Sequence, residues 1–165
     1  MTFSVDLSEN IRLPDLPAEE IFRTVAEEAL RYTGCPYECE VSLTLTDDDT
    51  IREMNRIHRG IDKATDVLSF PFIDFASPAD FKGLDPDSGC FDLDTDELVL
   101  GDIVISVDHV VSQAEEYGHS VKREFAFLIA HSMLHLQGFD HNEPDEAGLM
   151  EKAQNEILDS LGIRR

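Results

Sequence analysis

The stretch His131-Ser132-Met133-Leu134-His135-Leu136-Gln137-Gly138-Phe139-Asp140-His141 gathers three of the chain's six histidines into eleven residues. On a helix, His131 and His135 stand at i and i+4 and project from one face, so both imidazoles reach one ion without backbone strain. Gly138 supplies the left-handed turn that stops such a helix, and the chain can then bring His141 round as a third ligand. Three nitrogens on one side of an ion leave a position open for water, the mark of a catalytic rather than a closed structural zinc site. The spacing therefore predicts about one transition ion per chain, zinc by ligand type. It also predicts metal-assisted hydrolysis, because an ion so held lowers the pKa of water from about 15.7 to about 7. One histidine in an apolar helix would be an ordinary core residue; three at this spacing are not.

The same spacing occurs in metzincin proteases, where a Glu follows the first histidine and serves as the general base. Here that position is Ser132, and a hydroxyl cannot accept a proton at neutral pH as a carboxylate does. The metal cage is kept and the proteolytic base is missing, which points away from peptide hydrolysis. Asp140 is the nearest carboxylate in sequence. Its expected role is to orient a ligand histidine through a hydrogen bond, with service as a base or as a plain turn residue the alternatives.

A second set of residues suits an anionic substrate. Arg52, Arg56, Arg59 and Lys63 recur at intervals of 4, 3 and 4, which lays them along one helix face while the helix lasts. Between positions 52 and 63 the only acids are Glu53 and Asp62. Arg59 is the main candidate, read as lying just past the helix in a loop, where its fork can take a phosphate. Arg56 and Lys63 are the accompanying substrate contacts.

These residues need a scaffold. Phe3–Leu7 and Val41–Thr46 alternate as strands. Asp15 and Pro17 open a helix with Ile21, Val25, Ala29 and Leu30 on one face, closed by Gly34 and Pro36. Asp47 caps a helix running to about His58, with Ile51, Met54 and Ile57 as its apolar stripe. Asp66–Phe72 is rich in strand formers, and Pro71, which cannot donate to a ladder, puts that strand at a sheet edge. Gly101–Ser106 is a short buried strand, followed by a helix to Tyr117 that Gly118 stops. Ser120 caps the apolar helix Val121–Gln137. A last helix, Pro144–Leu161, carries Leu149, Ala153, Ile157 and Leu161 as its stripe. Strands alternating with helices predict an α/β (α+β) domain, a small mixed sheet packed by helices.

The chain has 165 residues, which suits one domain over 1–165. No signal peptide and no membrane-spanning run are legible, so a cytoplasmic protein without membrane partners is expected. Cys35, Cys39 and Cys90 are too few for a disulfide framework and fit a reducing compartment; Cys35 and Cys39 read as two free thiols rather than a metal pair. Residues 74–97 hold seven Asp, one Glu and a single Lys, and are expected to form a solvated, mobile, dispensable insertion without the ligand order of an EF-hand. The formal net charge is −22, which opposes indiscriminate binding to phosphate backbones and leaves only a local cationic site to hold an anionic substrate.

Four motifs in order resemble one family. Asn55-Arg56-Ile57-His58-Arg59, then Asp62 and Thr65–Pro71, then Gly101–Ser106, then His131–His141 look like the YbeY family of bacterial endoribonucleases and rRNA maturation factors. The resemblance spans about residues 20–163. It implies a zincin-like fold with a histidine-bearing active-site helix, and one metal, usually zinc, on His131, His135 and His141. It also implies single-stranded RNA as substrate, including the 3′ end of small-subunit rRNA, and a functional arginine at Arg59. The small ribosomal subunit and its assembly factors are the implied partners. The chain departs from the pattern at Ser132, where the family commonly has Gly, and in the long acidic stretch. The rival readings are a metzincin-like protease and a non-catalytic ribosome-assembly factor with a structural metal.

Overall fold

The computed structural model describes residues 1–8, 11 and 16–163. Among them lie strands β1 (Thr2–Leu7), β2 (Cys39–Thr46), β3 (Val67–Pro71) and β4 (Leu98–Ser106). The helices are α1 (Ala18–Thr33), α2 (Asp48–Arg59), α3 (Val107–Tyr117), α4 (Val121–Leu136) and α5 (Pro144–Ser160). The sheet order is β1-β2-β4-β3. β1, β2 and β4 run parallel, and β3 pairs antiparallel with β4, so the sheet is mixed and β3 is an edge strand.

Local chemistry explains most boundaries. The Asp47 carboxylate accepts from the Thr50 amide and starts α2; the Ser120 hydroxyl accepts from the Arg123 amide and starts α4. Asp15 lies outside the described residues, and α1 begins at Ala18 without a side-chain cap. In β2, buried Cys39, Val41, Leu43 and Leu45 alternate with less buried Glu40, Ser42 and Thr44. The inward residues of β2 and β4 form one core with α1, α4 and α5. Leu68 and Val104 meet Ile51 of α2 in a smaller cluster. At the centre of the larger core, α4 buries Phe125, Leu128, Ile129, Met133 and Leu134.

Several expectations are corrected. α2 runs one residue past His58 and includes Arg59, because Gly60 rather than His58 takes the left-handed conformation that ends it. Arg59 is therefore the last helical residue, not a loop residue. Ile57 is 62% exposed: steps of three residues drift about 60° per step, so the third member leaves the buried face. Leu149 is 49% exposed, because the buried face of α5 centres on Met150, Ala153, Gln154 and Ile157.

Strand β4 starts at Leu98, three residues earlier than expected. Gly101 lies inside it at φ +144°, where a Cβ would stand 2.2 Å from the Phe70 carbonyl oxygen. Glycine is what lets β3 lie against β4 there.

Residues 74–97 are not simply solvated. Phe75, Phe81, Leu84 and Phe91 pack on the main core. The Ala79 amide donates to the Gln137 carbonyl at 2.8 Å, and the Tyr37 hydroxyl donates to the Leu84 carbonyl at 2.8 Å. The carboxylates of Asp85, Asp87, Asp94 and Asp96 face solvent. Glu97 instead is buried and accepts from the Thr2 hydroxyl at 2.6 Å. Apolar residues spaced among the acids give the segment an inner and an outer side.

Candidate metal centre

His131 and His135 lie one turn apart on α4, with Nε2 atoms 3.1 Å from each other. α4 ends at Leu136, and Gly138 adopts φ +93°. A Cβ there would meet Phe75 Cβ at 2.7 Å, so the turn after α4 is open to glycine alone. This turn brings His141 to the other two: one ring nitrogen from each of the three lies within 4.8 Å of the rest. Such a trio can hold a metal ion.

Each helical histidine is oriented from behind. His135 Nδ1 lies 2.9 Å from the Phe139 carbonyl, to which it can only donate, leaving Nε2 as a lone pair. His131 Nδ1 lies 2.7 Å from the amide of Gln154, a buried residue of α5. The Phe127 ring stacks on His131 at 6.3 Å between centroids. Burial, aided by His135 and His141, pushes His131 down to about 4, and burial lowers His135 as well. Both rings are thus neutral near pH 7, the state a metal ligand requires.

The histidines open onto a cleft of about 770 Å³. Its lining includes Val67–Pro71 of the edge strand, Asp66, His58 and Arg59, together with His131, His135 and His141. Arg59 and the histidine trio, 72 residues apart in sequence at their nearest, therefore share one cavity.

A family profile described as "Endoribonuclease YbeY" matches residues 5–162. The chain belongs to the YbeY family. An "Endoribonuclease YbeY" of Lachnospira eligens is 46% identical, with all of both chains covered. One from Agathobacter rectalis is 55% identical over 89% of this chain and 90% of the relative. A Thermotoga maritima protein solved in solution is similar in fold, with TM-score 0.56 and 19% identity over 98% of this chain and 91% of that one. None of the described helices is long and apolar enough to cross a membrane.

Within this YbeY chain the cations sort clearly. Arg52 is held by Asp62 at 2.8 Å, and Arg56 pairs with Glu53. Neither lines the histidine cleft, and neither does Lys63, an exposed residue whose carbonyl accepts from Asn55. Among the described residues Arg59 makes no ion pair. The same-face reading of the four cations thus reduces to Arg59 at the cleft.

Asp140 departs from its expected role. One carboxylate oxygen accepts from the His141 amide at 2.7 Å and the other from the Asn142 side chain at 2.7 Å. It shapes the turn that carries His141 rather than holding an imidazole.

Sequence reading missed two YbeY residues beside the centre. Gln154 is polar and fell outside every apolar stripe. Asp66 was read only as strand sequence, yet it lines the cleft, accepts from Val67 and Gln113, and its charge favours protonation of His131 against the effect of burial. Ser132 is fully buried, and its hydroxyl has no hydrogen-bond partner among the described residues.

Proposed function

We propose that this chain is a single-strand-specific endoribonuclease that matures ribosomal RNA, including the 3′ end of the small-subunit RNA, with one zinc ion on His131, His135 and His141. The observation that carries the reading is the shared cleft: three imidazole nitrogen donors and the unpaired guanidinium of Arg59 face one cavity in a member of an endoribonuclease family.

The residues present fit a zinc ion. Three imidazoles are an ordinary catalytic ligand set, and the Phe139 carbonyl frees Nε2 of His135 by taking the hydrogen of Nδ1. Gln154 Nε2 stands against His131 Nδ1. With His131 Nε2 turned to an ion, Nδ1 carries the hydrogen, and a turn of the Gln154 amide by half a revolution would present its oxygen as the acceptor. When bound, zinc supplies electrophilic stabilisation of a phosphoryl oxygen and acidifies water.

Arg59 supplies two charge-assisted donors to the non-bridging phosphate oxygens and stabilises the charge that grows there in the transition state. The rest of the surface works against long-range capture of RNA, since the net charge is −22. Binding then depends on short-range contacts in the cleft, which suits selection of flexible single strands that can enter it. Ser132 in place of a carboxylate argues against a protease.

The test is a defined single-stranded RNA incubated with the zinc-loaded protein, with chelator, and with His135→Ala. The reading expects discrete internal cuts by the zinc form alone. Product ends decide the nucleophile: a 2′,3′-cyclic phosphate indicates the RNA's own 2′-hydroxyl, and a plain phosphate indicates water. Undiminished cutting by His135→Ala would remove the metal centre from the chemistry.

A further inference from the structure

We propose that Cys35 and Cys39 form a site of reversible oxidation, closing an intramolecular disulfide when the chain meets a hydroperoxide. The inference is independent of the nuclease reading. Gly34 ends α1 in the left-handed conformation and β2 begins at Cys39, so the residues between form a tight reversal. It sets the two sulfurs 3.6 Å apart. Both thiols also point at the same acceptor, the Tyr37 carbonyl, at 3.6 and 3.5 Å. A disulfide needs about 2.05 Å between sulfurs, so small side-chain rotations close the remaining gap.

The two thiols differ in a way that assigns their roles. Cys35 is partly exposed and Cys39 is fully buried, so only the first meets a solute. The hydrogen bond between them holds the Cys35 thiol below its ordinary range and the Cys39 thiol above it, which makes Cys35 the attacking sulfur. The Cys35 thiolate attacks one oxygen of the hydroperoxide; the O–O bond breaks and an alcohol, or water from hydrogen peroxide, leaves with a proton. Cys35 is then a sulfenic acid. The Cys39 sulfur attacks it, the S–S bond forms and the S–O bond breaks. The Cys39 proton leaves with the hydroxide as water. Two thiols have lost two electrons to one peroxide, and a dithiol reductant reverses the change.

Closure also bears on the neighbouring segment. Tyr37, between the two cysteines, meets Phe91 edge-on at 5.1 Å and donates to the Leu84 carbonyl, so the bridge fixes the loop that ties residues 84–91 to the sheet. Cys90 stands apart, with its sulfur on the Ser88 carbonyl at 3.9 Å.

The experiment treats the reduced full chain with a few molar equivalents of hydrogen peroxide, alkylates the remaining thiols and maps the tryptic peptides by mass. Cys35 and Cys39 fall in one peptide, Tyr32–Arg52, and Cys90 in another. The proposal expects Tyr32–Arg52 to lose about 2 Da and resist alkylation until dithiothreitol is added. Cys90 should still be alkylated. Cys90→Ser should behave as the natural chain, and Cys35→Ser should leave Cys39 reduced. Accumulation of sulfinic acid at Cys35 with Cys39 still alkylatable, or oxidation only as Cys90-linked dimers, would overturn it. So would a Tyr32–Arg52 peptide that stays fully alkylatable.

Discussion

Gln154 of α5 reaches across to His131 of α4, amide to Nδ1 at 2.7 Å, and joins the C-terminal helix to the histidine centre. A ligand imidazole held from behind keeps its ring orientation and becomes a better donor; losing such a support weakens metal binding by about 10–100-fold. Gln154→Ala should therefore lower zinc affinity by about that factor in a competition with a chromophoric chelator. Gln154→Glu, which still accepts from Nδ1, should recover most of it. Unchanged affinity in Gln154→Ala would show that the contact is only packing.

The metal-free chain should lose stability in acid over a defined window. Burial lowers His131 to about 4 in the folded state from an ordinary value of 6.5. Between those values the unfolded chain binds a proton that the folded chain refuses, so the unfolded state gains. Stability from this group is complete above about pH 6.5 and falls as the pH drops toward 4. Urea midpoints of the metal-free protein across this range should decline, and His131→Leu should flatten the slope. A midpoint that rises with acid would reverse the sign of the argument.

The acidic segment should contribute to folding. Phe81 and Leu84 are half-buried against the core. Replacing either with Ala should cost about 1–2 kcal/mol, less than the ~3–5 kcal/mol of a fully buried aromatic. Urea denaturation measures this directly. No shift in either midpoint would return the segment to the solvated loop its charge suggests.

Ser132 should be dispensable. Its buried hydroxyl has no partner among the described residues, and an unsatisfied buried polar group costs about 1–3 kcal/mol. Ser132→Ala should match or exceed the natural chain in thermal melting, with zinc content unchanged. A clear loss of melting temperature would mean that the hydroxyl is hydrogen-bonded.

The fold was legible where one residue type has one physical use. Asp47 and Ser120 cap helices, the alternation along β2 states which side is buried, and Pro71 marks the edge strand that became one wall of the cleft. The histidines' shared face followed from helical geometry alone. Legibility failed where tertiary contacts override local pattern. Ile57 and Leu149 are apolar yet face solvent, because helix rotation carries them off the buried faces. Gln154 is polar yet buried, because its partner lies 23 residues away. Residues 74–97 looked solvated because their charge outweighed the scattered aromatics that fasten them. The pairing of Arg52 and Arg56 with nearby acids also needed coordinates, since spacing alone makes four equal cations of Arg52, Arg56, Arg59 and Lys63.

The most direct test of the central claim is the single-turnover rate of cleavage of one defined single-stranded RNA by zinc-loaded Arg59→Ala. If Arg59 acts on the phosphate in the transition state, the rate should fall by about 10²–10³, the loss expected for one preorganised donor. Zinc content and melting temperature should hold, because an exposed side chain contributes little to folding. Arg59→Lys should recover only part of the rate, since a point charge cannot reproduce the guanidinium fork. Arg52→Ala, already paired with Asp62 and away from the cleft, should cost far less. An Arg59→Ala protein that cuts RNA as fast as the natural chain, while His135→Ala is inactive, would contradict the account and place the phosphate elsewhere.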